Sequence, residues 1–410
     1  MRDVAVIGAG ASGLLAAYAA AEGGARVSVY EKNEKAGKKI YITGKGRCNV
    51  TNHCGRETFF ENVVRGAKFL NGAFSRLSPE DLMNLLESNG LPLVEERGRR
   101  VYPKSYRASD VTKTLLRMCA DAGAVFHYGT EVRSVGREGD GFVLKTRDGL
   151  TERKDCVILA TGGITYPATG STGDGYAFAE KLGHTIVPLR PSLCGISCDM
   201  TDLSVLQGLS LKNVAITAKR DGKEIGGFFG EMLFTHFGIS GPIVLSLSCL
   251  LNRTDLASVA VTIDLKPALT AETLDARIVR DLLESKNRQM KNALEKLLPG
   301  KLILPVLKAA GIDEWRQANA LTREERAGLV GALKAFPVRA VSLRPAEEAV
   351  VTSGGVNLKE VNASTMESKL CPGLYLCGEV LDADAYTGGY NLQIAFMTGY
   401  TAGRACAAKK

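Results

Sequence analysis

The sequence predicts an α/β chain in which a two-part, Rossmann-like domain built from both termini is interrupted by a β-rich domain and a small helical domain. Three observations carry that prediction. A short apolar strand at residues 4–7 runs into a glycine-spaced turn and a small-residue helix at 14–22. A second buried strand, 156–160, also ends on a Thr-Gly-Gly turn, and the order strand, glycine turn, helix returns between Gly373 and Cys406. From about 190 to 350 the texture differs, alternating first like strands and then recurring at helical spacing.

The 410 residues suffice for two or three domains with ordinary cores. Hydrophobic residues at 45% and charged residues at 23% exclude a disordered or fibrous chain. The net charge of +8 suits phosphate-bearing ligands without requiring a nucleic acid. Apolar runs such as 14–21 fall short of the ~18 residues that span a bilayer. The chain opens directly on its first strand and glycine motif instead of a charged leader, so a cytoplasmic location is expected. Ten scattered cysteines without a CxxC pair fit reduced thiols better than disulfides or zinc, and no metal is expected.

Taken in order, residues 26–31 form a second strand ending in an acid, which completes a βαβ unit. Residues 82–86 and 111–118 carry helical spacing. Residues 125–146 alternate like paired strands around Gly139-Asp140-Gly141. Strands are predicted at 214–219 and 259–265. Leu274, Ile278 and Leu282, then Met290, Leu294 and Leu297, mark one or two amphipathic helices, punctuated by Pro267, Pro299, Pro305 and Pro337. The expected boundaries are 1–190 with 350–410 for the nucleotide domain, 191–266 with 337–349 for the β-rich domain, and 267–336 for the helical insertion.

Gly8-Ala9-Gly10-Ala11-Ser12-Gly13 is a GxGxxG placed after a strand and at a helix start. Gly8 would allow the tight turn, Gly10 the approach of a pyrophosphate, and Gly13 close packing, with the helix amides at Ala11 and Ser12 as donors. Glu31, eighteen residues beyond Gly13 and followed by Lys32, is suited to accept from adenosine ribose hydroxyls. FAD and NAD sites share this fingerprint. Three later segments read as the wrapping of a long, permanently held FAD: the loop from Gly37 to Asn49, the strand end Thr161-Gly162-Gly163, and Gly378-Glu379 with Gly388-Gly389.

The run Gly37-Lys38-Lys39-Ile40-Tyr41-Ile42-Thr43-Gly44-Lys45-Gly46-Arg47-Cys48-Asn49 resembles the signature of a bacterial family of FAD-dependent oxidoreductases that includes aminoacetone oxidase and the 3-dehydro-bile-acid reductase. Similar blocks are Tyr102-Pro103-Lys104-Ser105, residues 160–176, residues 234–242, Val351-Thr352-Ser353-Gly354-Gly355-Val356, residues 365–369, and residues 378–393. They cover nearly the whole chain outside the helical insertion. Ala385 departs from the pattern, which has glycine there.

The resemblance implies FAD in the two-part domain. Lys38, Lys39 and Arg47 would bring positive charge toward the pyrophosphate or the flavin loop, the lysines otherwise being solvated surface charge. Thr43, Gly44, Gly46, Cys48 and Asn49 would line the flavin edge, and Glu379 would accept from a ribityl hydroxyl. The helix beginning at Gly389-Tyr390-Asn391-Leu392 would aim its amides at the flavin pyrimidine. His236, on a glycine-bearing loop, is the first candidate for proton transfer, because histidine changes charge near neutrality. Its other reading is a structural histidine. Tyr166 and Tyr386 could polarise a carbonyl or donate a proton. Cys48 reads as a packed thiol and Asp174 as a helix cap.

The expected activity is reduction of an activated C=C bond in a small enone-type molecule, possible acceptors including steroid or bile-acid-like compounds, with NAD(P)H docking transiently as donor. No second GxGxxG marks a dedicated nicotinamide domain. The alternatives are an amine oxidase of the aminoacetone oxidase type and an RNA-acting flavoprotein. The insertion's Lys286, Arg288, Lys291, Lys296 and Lys301 raise the last, but interspersed Glu284 and Glu295 make that face read as solvated, so no nucleic-acid partner is expected.

Overall fold

Val4, Ala5 and Val6 are fully buried, and their strand, Asp3–Ile7, lies in the middle of a parallel sheet covered on both faces, which is why the sequence there is continuously apolar. The computed structural model describes residues 1–408. They form two compact units, residues 1–192 with 346–408, and Leu193–Pro345.

In the first unit the parallel sheet has five strands in the order Leu374–Leu376, Cys156–Leu159, Asp3–Ile7, Arg26–Glu31, Val125–Tyr128. Residues from both ends of the chain therefore share one sheet. They also share a helix pair. Helix Tyr390–Ala408 crosses helix Ala11–Glu22 so closely that a Cβ on Gly399 would stand 2.1 Å from the Ser12 carbonyl oxygen. One on Gly403 would stand 2.3 Å from that of Ala16. Only glycine admits such a backbone approach.

Residues 125–146 divide differently from the predicted pairing. Val125–Tyr128 joins the parallel sheet beside Arg26–Glu31, and the antiparallel hairpin begins at Val132, with Val132–Glu138 against Gly141–Thr146. The chain turns at Gly129, which has φ +65° and donates its N–H to the Asn33 carbonyl. Alternation alone does not distinguish an edge strand of a parallel sheet from a hairpin arm.

The second unit holds a seven-stranded antiparallel sheet in the order Phe336–Val338, Val259–Asp264, Ser210–Arg220, Lys223–Phe234, Gly238–Ser240, Ile196–Cys198, Ala340–Leu343. One apolar core runs from the sheet (Ile216, Phe234, Ile263) into the helices (Leu247, Leu274, Leu302, Leu329). The spacing of Leu274, Ile278 and Leu282 is realised in helix Ala271–Glu284. That of Met290, Leu294 and Leu297 is not one helix. Met290–Ala293 is a single turn, and Pro299 disfavours helical backbone at Leu298, so the next helix, Gly300–Ala309, starts afresh. Pro305 lies inside that helix, and Pro337 lies in an edge strand, where a missing N–H breaks no ladder.

Helix Arg323–Lys334 starts from a reciprocal capping box, in which Thr322 Oγ1 accepts from the Glu325 N–H and Glu325 accepts from the Thr322 N–H. Thr322→Ala is expected to lower the stability of this unit by about 1 kcal/mol in urea unfolding. Among the described residues no helix is long and apolar enough to cross a membrane.

Candidate functional site

The glycine turn after the first strand takes the shape that a pyrophosphate requires. Gly8 has φ +100°, and a Cβ there would lie 2.5 Å from the Ala160 carbonyl oxygen. A Cβ on Gly13 would lie 1.9 Å from the Gly8 carbonyl oxygen. Gly10 is the opposite case. Nothing lies within 4 Å of where its Cβ would be. It is also the N-cap of helix Ala11–Glu22, with no side chain capping the amides of that first turn, Ala11 and Ser12 among them. The turn thus presents open space to the positive end of a helix.

Glu31 is buried at the end of its strand. It accepts from the Ala9 N–H at 2.9 Å and from the Asn33 N–H at 2.9 Å, so its carboxylate is fixed beside the turn. Lys32 points elsewhere, to Asp174 at 2.7 Å. That pair differs from the helix-cap reading of Asp174. Gly173 is the N-cap of helix Asp174–Lys181 and Asp174 is its first residue, acting as the partner of Lys32 instead of a cap.

The loop that follows is held by charges and by unusual backbone. Lys38 pairs with Glu34 at 2.8 Å. Lys39 Nζ donates to Thr165 Oγ1 and to Glu379 Oε2, both at 2.7 Å. Glu379 Oε1 further accepts from the Thr352 N–H at 2.7 Å and from Thr165 Oγ1 at 3.1 Å. One carboxylate from the C-terminal segment therefore ties together three other parts of the unit. Gly163 is confined there, since its Cβ would stand 2.1 Å from Thr352 Oγ1, while Gly162 has φ +74°. Thr43 closes the short helix Lys38–Ile42 by donating to the Ile40 carbonyl.

Gly44, Lys45, Gly46 and Cys48 all have left-handed φ, from +57° to +85°. Such backbone in a non-glycine residue costs on the order of 1–3 kcal/mol and persists where the surroundings impose it. Arg47 bonds Glu96 at 3.1 Å and lies over the Tyr102 ring at 4.5 Å. Cys48 is fully buried, and burial pushes its thiol up to about 12, so it is a packed and unreactive group.

From the other end of the chain, Gly378 has φ +75° and a Cβ there would meet Ser12 Oγ at 2.4 Å. Gly389, φ +103°, sits against the Thr51 backbone at the start of helix Tyr390–Ala408. Asn391 pins the preceding loop by accepting from the Ala385 N–H and donating to the carbonyls of Ala385 and Tyr386. Ala385 itself is buried and extended, paired with Val63, so this position has no need of glycine. Tyr390 is buried against Phe59, and burial pushes its phenol up to about 12; Leu392 is half-buried in the same first turn.

The three candidate proton donors are distributed over both units. Tyr166 is half-buried with φ +53°, and Lys39 Nζ is 5.9 Å from its ring centroid. Tyr386 is half-buried and its N–H donates to the Asn62 carbonyl. His236 belongs to the second unit, exposed at the tip between strands Lys223–Phe234 and Gly238–Ser240, edge-on to Phe237.

Sequence reasoning missed the supports. Asp384 is buried, bonded to Arg65 Nη1 through both oxygens at 3.0 Å and to Ser192 Oγ at 2.9 Å. Thr51 Oγ1 donates to Gln393 Oε1, and Asn52 Nδ2 donates to the carbonyls of Gly98 and Gly388. Asp384 was the detectable one, as an acid set between the small residues Ala383 and Ala385.

Two buried acceptors at this site have no partner, Asn49 Oδ1 and Thr161 Oγ1. Both lie in segments read as wrapping FAD. Together with the open face of Gly10 and the carboxylate of Glu31, they fit a polar, phosphate-bearing cofactor whose hydrogen bonds would complete them. Among the described residues, no group of three or more His, Cys, Asp or Glu could hold a metal ion.

Comparison with known proteins extends over the same residues. Residues 2–405 match the family model of the HI0933-like protein Rossmann domain. The chain is 32% identical to a 3-dehydro-bile acid delta(4,6)-reductase of Clostridium scindens over 99% of both sequences. It is 30% identical to a ribosomal RNA dihydrouridine synthase of Escherichia coli over 97% of this chain and 96% of that one. A solved 3-ketosteroid delta1-dehydrogenase of Sterolibacterium denitrificans covers all of both chains with a TM-score of 0.51 at 14% identity, a likeness of fold alone.

Proposed function

The chain is a member of the HI0933-like Rossmann family of FAD-dependent oxidoreductases, and from that premise we propose that it reduces a carbon–carbon double bond conjugated to a carbonyl, with NAD(P)H as electron donor. The observation that carries the cofactor half of this reading is the contact between Ser12, in the glycine turn that begins at Gly8, and Gly378 from the opposite end of the chain, with Asn49 Oδ1 and Thr161 Oγ1 buried and unpartnered in the neighbouring segments. The substrate half is supported by what the relatives are named for. A 3-oxo-4,6-diene and the uracil of a uridine are both alkenes in conjugation with a carbonyl, and each named reaction saturates such a bond.

FAD, when bound, supplies two-electron hydride chemistry. The chain's own residues would do the rest. The amides of Ala11 and Ser12 would hold the pyrophosphate across the face of Gly10, and Glu31 would accept from the adenosine ribose. Glu379, already fixed by Lys39 and Thr352, would accept from the ribityl chain. The first amides of helix Tyr390–Ala408, at Tyr390, Asn391 and Leu392, would stabilise negative charge at the flavin pyrimidine. Tyr166, Tyr386 and His236 are the proposed donors of the proton that the α carbon of the acceptor requires. Tyr166 has the added support of Lys39 beside its ring and of an imposed left-handed backbone.

The test is a pair of half-reactions under nitrogen. NADH or NADPH is expected to bleach the flavin promptly, and a conjugated enone to restore its colour. Bleaching by a primary amine and not by either nicotinamide would overturn the reductase reading in favour of an amine oxidase.

A further inference from the structure

A second group of chemistry-bearing residues gathers at the edge of the parallel sheet opposite the glycine turns. Gly8 and Thr161 follow the carboxyl ends of strands Asp3–Ile7 and Cys156–Leu159, whereas Cys156 stands at the amino end of its strand. Cys406 lies in the last turn of helix Tyr390–Ala408. Distant in sequence, the two thiols share a hydrogen bond. Both are buried, at 1% and 0% exposure, and all ten cysteines of the chain are free thiols.

The surroundings of this pair are polar in a way that packing alone does not require. Arg2 Nη1 donates to the Cys406 carbonyl at 3.1 Å. In the adjacent strand Leu374–Leu376, Tyr375 is fully buried and its Oη has no partner. The ionisable groups that act on that phenol are Cys406, Glu367, Cys156 and Arg2. An orphaned buried hydroxyl in a native fold calls for an explanation, and a redox role is one. The thiols also differ from the rest of the chain's. Burial pushes Cys48, Cys119, Cys198 and Cys377 up to about 12, which leaves them inert. Cys156 goes the other way: the hydrogen bond from Cys406 holds it below its ordinary value, and Arg2 adds to this against the opposing effect of burial.

We propose that Cys156 and Cys406 form a modification site for hydrogen peroxide, closing to a disulfide that ties the last turn of helix Tyr390–Ala408 to the parallel sheet. Two sulfurs already within hydrogen-bond reach need only a small shift to bond, and the last turn of a helix is where local opening admits a small oxidant. The Cys156 sulfur attacks one peroxide oxygen, the O–O bond breaks, and the departing oxygen leaves as water, giving a sulfenic acid at Cys156. Tyr375 Oη supplies that departing oxygen with a hydrogen-bond donor. The Cys406 sulfur then attacks the Cys156 sulfur, the S–O bond breaks, and a second water carries off the thiol proton. Two thiols lose two electrons and one peroxide becomes two waters. The strand and the helix so joined lead, at their far ends, to Thr161 and to Tyr390, so the bond fastens two cofactor-facing segments from behind. None of this depends on which acceptor the flavin reduces.

The experiment exposes the FAD-loaded wild-type protein to hydrogen peroxide for increasing times and quenches with catalase. The chain is then denatured, alkylated with iodoacetamide and mapped by peptide mass. The peptides of Cys156 and Cys406 are expected to appear joined, lighter by two hydrogens than the separate pair, and to part again in dithiothreitol. Joining should run at least about tenfold faster than oxidation of the equally buried Cys48, Cys119 and Cys377. Cys406→Ser removes the resolving thiol, so Cys156 should there be trapped by dimedone as the sulfenic acid. Tyr375→Phe should slow the joining severalfold. Wild-type Cys156 and Cys406 that remain alkylatable while other cysteines oxidise, or that oxidise no faster than Cys48, Cys119 and Cys377, would overturn the site. Dimedone capture at Cys156 that is as strong in wild type as in Cys406→Ser would overturn the pairing. An unchanged rate in Tyr375→Phe would overturn the part given to the phenol.

Discussion

Gly10→Val is expected to produce a protein that folds like the wild type and holds no FAD. The backbone there is extended, φ −82° and ψ −169°, which valine adopts readily, and no atom lies within 4 Å of the added Cβ. The same open space is where a pyrophosphate would meet the amides of Ala11 and Ser12. Two charge-assisted hydrogen bonds at about 1.5–3 kcal/mol each give a loss of about 100-fold or more in FAD affinity. Gly13→Ala is the contrasting variant. Its Cβ would stand 1.9 Å from the Gly8 carbonyl oxygen, so folding itself should fail. Thermal melting of the apoproteins and FAD titration separate the two outcomes. If Gly10→Val retains FAD, the assignment of the turn to the pyrophosphate is wrong.

The glycine turn was legible in the sequence because its chemistry is local. Strand, turn, helix and acid lie within residues 4–31, and each requirement shows as a residue type at a fixed offset. The pairing of the two termini was legible for a related reason, in that Gly378 and Gly389 repeat the style of the opening segment. What joins them was not. Glu379 meets Lys39 across 340 positions of chain, and the Gly399 and Gly403 crossing looks in sequence like any small-residue helix. Residues 125–128 alternate as a hairpin arm would, yet pair in parallel with Arg26–Glu31, since periodicity records which face is buried and not which strand lies beside it. Ala385 shows the same limit: a motif position occupied by the wrong residue is accommodated because the local backbone is extended.

Asp384→Ala is expected to cost about 3–5 kcal/mol of stability, because it strips Arg65, whose side chain is only 15% exposed, of the carboxylate that both its hydrogen bonds here address and leaves Ser192 Oγ without its acceptor. Asp384→Asn should recover part of that by keeping an oxygen for Ser192. The loss should show as a lower urea midpoint. It should also reach the flavin site, because Ala385 is the neighbour that Asn391 pins. Burial raises the carboxyl of Asp384 above its ordinary 3.8, against the opposing pull of Arg65 and Ser192. Between 3.8 and the raised value the folded chain therefore binds more protons than the unfolded one. Its contribution to stability is full below 3.8 and is lost as pH rises through the folded value. The Asn variant should lack that slope. An unchanged midpoint in Asp384→Ala would show that the pair does not hold this corner together.

Denaturing the purified protein and identifying the flavin released, by chromatography and mass, addresses the whole account most directly. FAD in a ratio of one to each chain is the predicted result, falling to none in Gly10→Val while the fold persists. A colourless wild-type protein that takes up no FAD on titration, or one that releases FMN alone, would contradict it, because the adenosine-binding role of Glu31 and the pyrophosphate-binding role of the Gly8 turn would then have no ligand.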